Sequence, residues 1–523
     1  MFVRLLFIVL VIVAGASIGL AQSLPGRDAA STVAALEQSL VDAIARAERS
    51  VVAIARTPAS SAEPALRIES PFAELRSPTA AEPVTVAAGV IIDPAGLVLT
   101  HYLAVREGDE HTITTTAGKR YRAIIRAADP RSALAILAVD SRAGPIQRAE
   151  TSRPDSPNAN SAPTSRANAE AAGSTFPAIR FGDAAKLRKG NFVIAIGNPF
   201  AIETDGQPTA SWGIVTNLAR KAPAETNLND APGPMQDYRT TLHHLGTLVQ
   251  TDAKLGWGAG GGALVNMQGE LVGITTTAAA IAGHEQPAGY AIPIDATFRR
   301  IIDTLKQGRE VEYGMLGVTF GQPETLDSTV ERERVAVEHV FAGSPAARAG
   351  LQAKDVVTHV AGQPISTVDD MQLAISTVPP SSVATITYRR AGRRGEARAT
   401  LAKLGVTGKK IVTVRPESWQ GIHVDYATAL DATQLTDAIA SNSLDPDGCV
   451  LVTEVERESA AWRAGVRPGM FISHVGNQRV STPEEFRATA RAAGDELDIK
   501  LTKPIATQAP NEEANSDSPR SNR

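Results

Sequence analysis

The fold is best approached from the stretch QTDAKLGWGAGGGALVN, residues 250–266. Five of the seven residues from Gly256 to Gly262 are glycine, and an apolar run follows them. Glycine runs allow a backbone to approach another group closely or to adopt positive φ angles. The residues from Leu255 to Val265 include no serine and no cysteine. This loop therefore offers backbone N–H groups but no hydroxyl or thiol that could attack a substrate.

Short runs rich in β-branched residues flank this loop on both sides. In chain order they read VTVAAGVII, LVLT, HTITTT, YRAIIRAA, ALAILAV, NFVIAIGNPF and ASWGIVTNL before the loop, and ELVGITTTA after it. Many short strands separated by turn residues predict an all-β barrel or sandwich. Apolar residues at helical spacing predict helices over 30–48 and 294–308, and SVVAIA predicts a strand over 50–55.

The C-terminal part of the chain contains an internal repeat. Residues 338–375 and 453–490 share the patterns S-x-A-x-R-A-G and H-V-x-x-Q-x-x-S-T in one register. Two copies of one α+β module explain this repeat. Between the periodic segments, residues 57–83, 149–175 and 221–240 have the composition of loops, and the second of these predicts a disordered insertion.

Length and composition limit the classes of function. A chain of 523 residues predicts about three domains. The net charge of −4 provides no basic field for nucleic acid. The single cysteine, Cys449, excludes an internal disulfide framework, and it is interpreted as a small core residue. No cofactor is expected, and no metal site either, because His243 and His244 have only Asp252 as a nearby third ligand.

The N-terminus, MFVRLLFIVLVIVAGASIGLAQS, has the pattern of a secretory signal. Arg4 precedes an apolar run, and small residues lead to a cleavage site after Ala21. We therefore expect export to the periplasm or cell envelope. An uncleaved membrane anchor is the alternative, although the run from Leu5 to Leu20 is shorter than the roughly 20 residues of a bilayer span.

Taken together, these segments resemble the HtrA/Deg family of exported serine proteases. The resemblance rests on GVIIDPAGLVLT, DPRSALAIL, FGDAAKLRKGNFVIAIGNPF, WGIVTNLAR, QTDAKLGWGAGGGALVN, GELVGITT, AGYAIPID and YGMLGV, in that order. It implies a mainly β fold, with a chymotrypsin-like double β-barrel followed by two α+β PDZ domains. The expected boundaries are a signal peptide at 1–21, an N-terminal helix and first strand at 22–56, the barrel domain at 57–309, PDZ domains at 310–405 and 415–503, and a disordered tail at 504–523.

The resemblance also locates the positions of a catalytic triad. The family loop reads G-N-S-G-G-P-L, and its nucleophilic serine corresponds to Gly260. The family histidine corresponds to Leu103 in THYLAV, and the family aspartate corresponds to Ala133 in ALAIL. A triad needs a nucleophile, a base and an orienting carboxylate. All three are replaced, so the chain resembles a catalytically inactive member, a pseudoprotease.

Three histidines lie near enough in the sequence to be considered as replacements for the missing catalytic base. His101 lies two residues before Leu103, about 7 Å along an extended strand, which is too far for the hydrogen bond that a base requires. His243 and His244 precede the glycine loop, and they too would have no nucleophile to activate. We expect all three to be surface or loop residues.

The PDZ resemblance implies two loops that bind the carboxylate of an extended peptide through backbone N–H groups. In the first domain the loop is Met315-Leu316-Gly317-Val318. In the second domain the corresponding loop is Trp419-Gln420-Gly421-Ile422, which matches the family pattern less well. The alternative is that both loops only continue the core strand. An insertion at 428–448, TALDATQLTDAIASNSLDPDG, separates the first two strands of the second domain, and we expect it to cover the groove there.

These observations favour an exported pseudoprotease that binds unfolded or C-terminal peptides as a chaperone, adaptor or regulator. The resemblance implies a trimer, with the segment around residues 30–56 contributing, or a mixed assembly with active relatives. The rival interpretation is an active serine endopeptidase. A third interpretation, a structural scaffold of the envelope, requires that the PDZ domains bind no peptide.

Overall fold

The computed structural model describes residues 26–58, 85–142, 144–146, 175–198, 207–222, 240–255, 259–276, 289–321, 335–430, 432–441, 443–445, 447–494 and 498–502. The predicted signal segment at 1–21, the tail at 504–523 and most of the predicted loops at 57–83, 149–175 and 221–240 lie outside these residues. Among the helices of the described ranges, none is both long and apolar enough to span a bilayer.

The first barrel follows the N-terminal helix α1, Gly26–Ala47. Its strands are β1 Val51–Thr57, β2 Thr85–Asp93, β3 Leu97–His101, β4 Glu110–Thr114, β5 Arg120–Asp129 and β6 Leu134–Val139. They run in the order β5-β4-β1-β2-β3-β6, and pairing of β5 with β6 closes the barrel. The alternation of buried and exposed side chains along the strands explains this arrangement. Along β5, Tyr121 and Ala123 are buried, whereas Arg120, Arg122 and Ile124 face solvent.

The second barrel is also closed and six-stranded. Its strands are β7 Phe192–Gly197, β8 Thr209–Arg220, β9 Leu248–Thr251, β10 Ala263–Val265, β11 Leu271–Thr276 and β12 Gly289–Pro293, in the order β10-β11-β12-β9-β8-β7. Helix α2, Ala296–Lys306, follows it. Asp295 caps this helix by accepting from the Phe298 N–H at 3.0 Å. The apolar residues of α2 recur at helical spacing and are buried in the shared core of the barrels: Phe298, Ile301, Ile302 and Leu305.

Two α+β modules follow, and they repeat one order of elements. The first contains β13 Gly314–Met315, β14 Val318–Gly321, β15 Val335–Val340, α3 Pro345–Arg348, β16 Val356–Val360, β17 Gln363–Pro364, α4 Val368–Ser376, β18 Val383–Arg390, β19 Arg393–Thr400 and β20 Ala402–Lys403. After the linker strand β21, Ile411–Val412, the second contains β22 Ile422–Tyr426, α5 Ala432–Ala440, β23 Val450–Val455, α6 Ala460–Arg463, β24 Phe471–Val475, β25 Gln478–Arg479, α7 Pro483–Ala493 and β26 Ile499–Leu501.

The repeated sequence motif has the same structural role in both modules. Ser344 begins α3 by accepting from the Ala347 N–H, and Ser459 begins α6 by accepting from the Trp462 N–H, each at 3.1 Å. Thr367 likewise caps α4. The predicted fold class is therefore confirmed: two barrels of chymotrypsin type precede two sheets of PDZ type.

The contacts that join the modules to the barrels include a strand pairing and a buried ion cluster. Linker strand β21 adds to the first barrel by pairing Ile411 with Ala128 and Val412 with Ala127 of β5. The second junction is a cluster around the buried ammonium of Lys403. This group lies 2.7 Å from Asp425, 3.0 Å from Glu310 and 3.3 Å from Glu312. Burial alone would lower the pKa of Lys403, but attraction by these carboxylates outweighs burial and raises that pKa.

Candidate functional site

The three positions predicted for a triad lie around one junction between the barrels. Leu103 belongs to a short 3-10 turn after β3, Ala133 to the turn between β5 and β6, and Gly260 to the loop before β10. The N–H of Tyr102 donates to the carbonyl of Ala133 at 2.8 Å, and the N–H of Ala88 donates to the carbonyl of Gly260 at 3.0 Å. The chain thus assembles the framework of this junction from two barrels.

The side chains at these three positions have no catalytic chemistry. Leu103 is 60% exposed and Ala133 is buried. Ala133 also has a φ of 57°, a left-handed conformation that disfavours residues with a Cβ. An isobutyl group, a methyl group and a hydrogen cannot attack a carbonyl or transfer a proton.

The glycine loop packs closely against the first barrel, and its glycines approach the backbone of that barrel. Gly261 has a φ of +86°, and a Cβ there would overlap the Ala88 carbonyl and the Thr100 hydroxyl. The N–H of Gly261 donates to the Thr275 carbonyl at 2.8 Å, and the N–H of Gly262 donates to the Ala259 carbonyl at 3.1 Å. These two glycines therefore serve packing and backbone pairing.

The expectation that the three histidines are surface or loop residues was wrong about the surface, although His243 and His244 lie in a connecting turn. His101, His243 and His244 are all buried, because the 3-10 turn Leu242–Leu245 packs beneath the junction and His243 stacks on Phe298. Burial lowers the pKa of His101 to about 4. Burial, followed by repulsion from His101, lowers the pKa of His243 to about 3. Both imidazoles are therefore neutral at pH 7.

Within the described residues, no hydrogen bond joins either of these two imidazoles to the glycine loop. The Nδ1 atom of His101 accepts from the Leu103 N–H at 3.2 Å. His243 places Nε2 3.1 Å from the Ser132 carbonyl and Nδ1 2.9 Å from the Thr247 hydroxyl. Within the described part of the chain, no group of three or more His, Cys, Asp or Glu side chains could hold a metal ion.

A buried polar cluster connects the junction to the first PDZ-type module. The phenol of Tyr313, directly before β13, donates to the Asp129 carboxylate at 2.5 Å, and the Ser132 N–H donates to the same oxygen at 2.8 Å. Burial raises the pKa of Asp129. The guanidinium of Arg131 lies over the Tyr313 ring at 5.4 Å and donates through Nη2 to the Ser376 hydroxyl of α4 at 3.0 Å.

The loop Met315-Leu316-Gly317-Val318 directs backbone N–H groups into a groove. The carbonyl of Leu316 accepts from the Ala346 N–H at 3.0 Å, and the carbonyl of Gly317 accepts from the Phe341 N–H at 3.2 Å. In a trans peptide the N–H points opposite to the C=O. The N–H groups of Gly317 and Val318 therefore point away from those partners, on the side where the same residues line a cavity of about 960 Å³.

Positive φ at Gly317 and the open edge of β14 complete this arrangement. Gly317 has a φ of +77°, and a Cβ there would overlap the Cβ of Ser344. β14 is the outermost strand of its sheet, and in the described residues no strand pairs with its second edge. An extended peptide could therefore add beside β14, with its carboxylate at the loop.

The second loop resembles the first only in part. Gly421 has a φ of +83° and would overlap Ser459 in the same way. However, Gln420 also has a positive φ of 53°, so Trp419-Gln420-Gly421-Ile422 forms a type I′ turn. This turn is closed by the Ile422 N–H, which donates to the Trp419 carbonyl at 2.8 Å. One of the N–H groups that a carboxylate would need is thus already used.

The insertion of the second module does not lie where the sequence suggested. Its helix α5 packs through Ala438 on the second module's own strands, where Cys449 is buried as expected. Its other face lines the cavity of the first module through Leu435 and Ile439, and Leu444, after the end of the helix, lines the same cavity. The expectation that the insertion covers the second groove is therefore corrected, because the linker brings it against the first.

Comparison with known proteins agrees with this architecture. Residues 87–274 match the family model "Trypsin-like peptidase domain", and residues 314–401 match the model "PDZ domain". A Brucella suis protein called "Probable periplasmic serine endoprotease DegP-like" is 28% identical over 416 residues, which cover 79% of this chain and 69% of the relative. A protein of the same description from Pseudomonas putida is 27% identical over 414 residues, covering 78% and 74%. This chain therefore combines a trypsin-like peptidase domain with a PDZ domain, and it is similar to DegP-like endoproteases.

A solved structure of similar fold is described as "HtrA-type protease AlgW with decapeptide". It is 21% identical, with a TM-score of 0.46, and the match covers 72% of this chain and 99% of that one.

Sequence reasoning missed two contributors to the groove, Arg131 and helix α5. Arg131 lies two residues before Ala133 in DPRSALAIL, and α5 lies in the insertion that was expected to cover the groove of the second module. The helical spacing of Leu435 and Ile439 was a readable signal for an amphipathic helix. The sequence carries no signal for the module that it faces.

Proposed function

We propose that this chain is an exported HtrA-family pseudoprotease that binds C-terminal or unfolded peptide segments through its first PDZ module. The observation that carries this proposal is a contrast between two sites. The barrel junction has Leu103, Ala133 and Gly260 where the family has its triad. The first PDZ loop, by contrast, directs the Gly317 and Val318 N–H groups into a groove with an open strand edge.

Three independent losses support inactivity. Removal of one triad member alone costs several orders of magnitude in rate. The buried histidines are poor substitute bases, because burial lowers the pKa of His101 to about 4 and that of His243 to about 3, and the hydrogen bonds of His243 go to Ser132 and Thr247. The rival function, a serine endopeptidase, draws support from the match to a trypsin-like peptidase domain and from the relatives, which are named as endoproteases.

The first PDZ loop is the better candidate for peptide binding. Gln420, Gly421 and Ile422 remain predicted peptide-binding residues, but closure of their type I′ turn favours Met315, Leu316, Gly317 and Val318 as the principal site. The pocket beside Val318 should prefer a small or medium aliphatic C-terminal residue. Affinity should be about micromolar, because few side chains are buried and a flexible peptide must be ordered.

We further propose action in the periplasm or cell envelope, as a chaperone, adaptor or regulator of protein quality control. The signal-like N-terminus and the relatives' description as periplasmic support this location. Assembly as a trimer, or with active relatives, is part of the same proposal and follows from the family resemblance.

Two assays on the purified chain test this function. Unfolded casein and a fluorophosphonate probe report proteolysis, and a denatured client protein reports suppression of aggregation. We expect no cleavage or labelling above a mock purification, together with suppressed aggregation. Specific labelling, or cleavage above the mock sample, would establish the endopeptidase instead. Inactivity in both assays, with no peptide binding, would leave the structural scaffold.

A further inference from the structure

The cavity at the first PDZ loop has walls from three parts of the chain. One wall is the first module itself, with the loop, β14 and the α4 residues Val368, Gln372 and Ile375. A second wall is helix α5 of the second module. The third is Arg131, from the barrel turn that also carries Ala133. At about 960 Å³ the cavity is at the upper end of the range for ligand sites, so it has room for several peptide residues.

Helix α5 presents apolar surface to this cavity. Ile439 is 44% exposed although it is a large aliphatic side chain, and Leu435 is half-buried beside it. A peptide added to β14 alternates its side chains between two faces. The last and third-last side chains would face the groove of the first module, between β14 and α4. The second-last and fourth-last side chains would then face α5.

Arg131 brings a cation to the end of the groove. Its Nη2 atom bonds to Ser376 at the C-terminal end of α4, whereas its Nε atom is buried and has no hydrogen-bond partner within the described residues. The cavity also contains the N–H groups of the carboxylate loop. A free peptide carboxylate therefore fits the charge at this end, and an amidated terminus does not.

We propose that the groove is a composite peptide site, completed by α5 of the second module and by Arg131 of the barrel. It selects peptides that have a free carboxylate and apolar side chains on both faces of the last four residues. This inference rests on the proposed function, and it names the peptide class that the site binds.

The test uses the intact chain and two fluorescein-labelled free-acid peptides. Both have Val at the last and third-last positions. One has Leu, and the other Ser, at the second-last and fourth-last positions. Fluorescence polarisation should show about fivefold tighter binding of the Leu peptide to the wild type, as expected for partial burial of two aliphatic side chains. Ile439→Ser should remove most of this preference.

Val383→Ser is the matched control, because Val383 is 51% exposed on β18 and does not line the cavity. It should leave both affinities unchanged. Arg131→Gln should weaken the free-acid Leu peptide about fivefold or more but change the weak binding of its amidated form little, whereas a purely structural role would weaken both alike.

The outcomes separate the inference from the function on which it rests. If the wild type binds neither peptide, the proposed function fails. If both peptides bind equally and Ile439→Ser changes nothing, peptide binding stands and the composite site is wrong. If Ile439→Ser tightens binding, α5 is a lid that competes with the peptide, which also overturns the composite site.

Discussion

Replacing Gly317 with alanine, beside the same change at Gly421, separates a functional loop from a structural one. Both glycines have left-handed φ angles, +77° and +83°, and at both positions an added Cβ would overlap the Cβ of a helix-capping serine, Ser344 or Ser459. The two substitutions therefore strain the backbone equally. Each should lower the free energy of unfolding of its module by about 1–2 kcal/mol from the φ angle alone, and by more from the overlap.

The two changes should differ in their effect on peptide binding. In the first loop a shift of the backbone misaligns the N–H groups of Gly317 and Val318. Loss of one hydrogen bond to a carboxylate costs about 1.5–3 kcal/mol, which is roughly 10- to 100-fold in affinity. In the second loop the Ile422 N–H already donates to the Trp419 carbonyl, so Gly421→Ala should change affinity less than about twofold.

Fluorescence polarisation with a free-acid peptide that ends in valine measures the affinity, and thermal unfolding confirms that both variants are folded. An amidated copy of the peptide should bind wild type weakly and should respond little to Gly317→Ala. Equal losses in the two variants, or unchanged binding by Gly317→Ala, would refute the assignment of the carboxylate to the first loop.

Three further predictions concern the barrel and the module junction. Gly260→Ser alone should give no fluorophosphonate labelling above wild type, since Leu103 occupies the position predicted for the base and His101, with a pKa of about 4, is a weak one; stoichiometric labelling would show that a base had been overlooked. His101→Asn should keep the acceptor for the Leu103 N–H but not titrate. Burial depresses the pKa of His101 to about 4, so its stabilising contribution is present above pH 6.5 and is lost as pH falls toward 4. Between pH 7 and 4.5 the free energy of unfolding, measured in urea, should therefore fall by about 2 kcal/mol less in the variant than in wild type. Equal falls in the two proteins would contradict this. Lys403→Met should lower stability by about 3–5 kcal/mol, since three carboxylates lose their buried cation, whereas Lys409→Met, from an exposed pair with Glu107, should cost under about 1 kcal/mol; similar thermal midpoints would argue against the cluster.

Local sequence was sufficient to predict the short strands of the barrels and the repeated modules, whereas the positions Leu103, Ala133 and Gly260 came from the family resemblance and remain predictions. Period-two burial along strands such as β5 and serine caps such as Ser344 act over a few residues, so they can be read from the chain. The burial of His101 and His243 could not be predicted in this way, because it depends on a turn packing against Phe298 from a distant helix.

The composition of the groove was beyond sequence reasoning for a related reason. The side of the molecule on which α5 lies depends on β21 pairing with β5 and on Lys403 joining three segments. Such contacts between modules involve few residues and have no periodicity. The closed turn at Trp419 was equally hidden, because a glutamine such as Gln420 only uncommonly adopts positive φ.

The most direct test of the central claim follows one peptide with the intact chain over several hours. A peptide with a donor and quencher pair across its length, ending in a free aliphatic residue, reports binding by polarisation and cleavage by the rise of donor fluorescence. Our account predicts saturable polarisation that amidation strongly weakens, with donor fluorescence as flat as in buffer. A rise in donor fluorescence that scales with protein concentration would contradict the loss of catalysis, and the absence of saturable binding would contradict the peptide site.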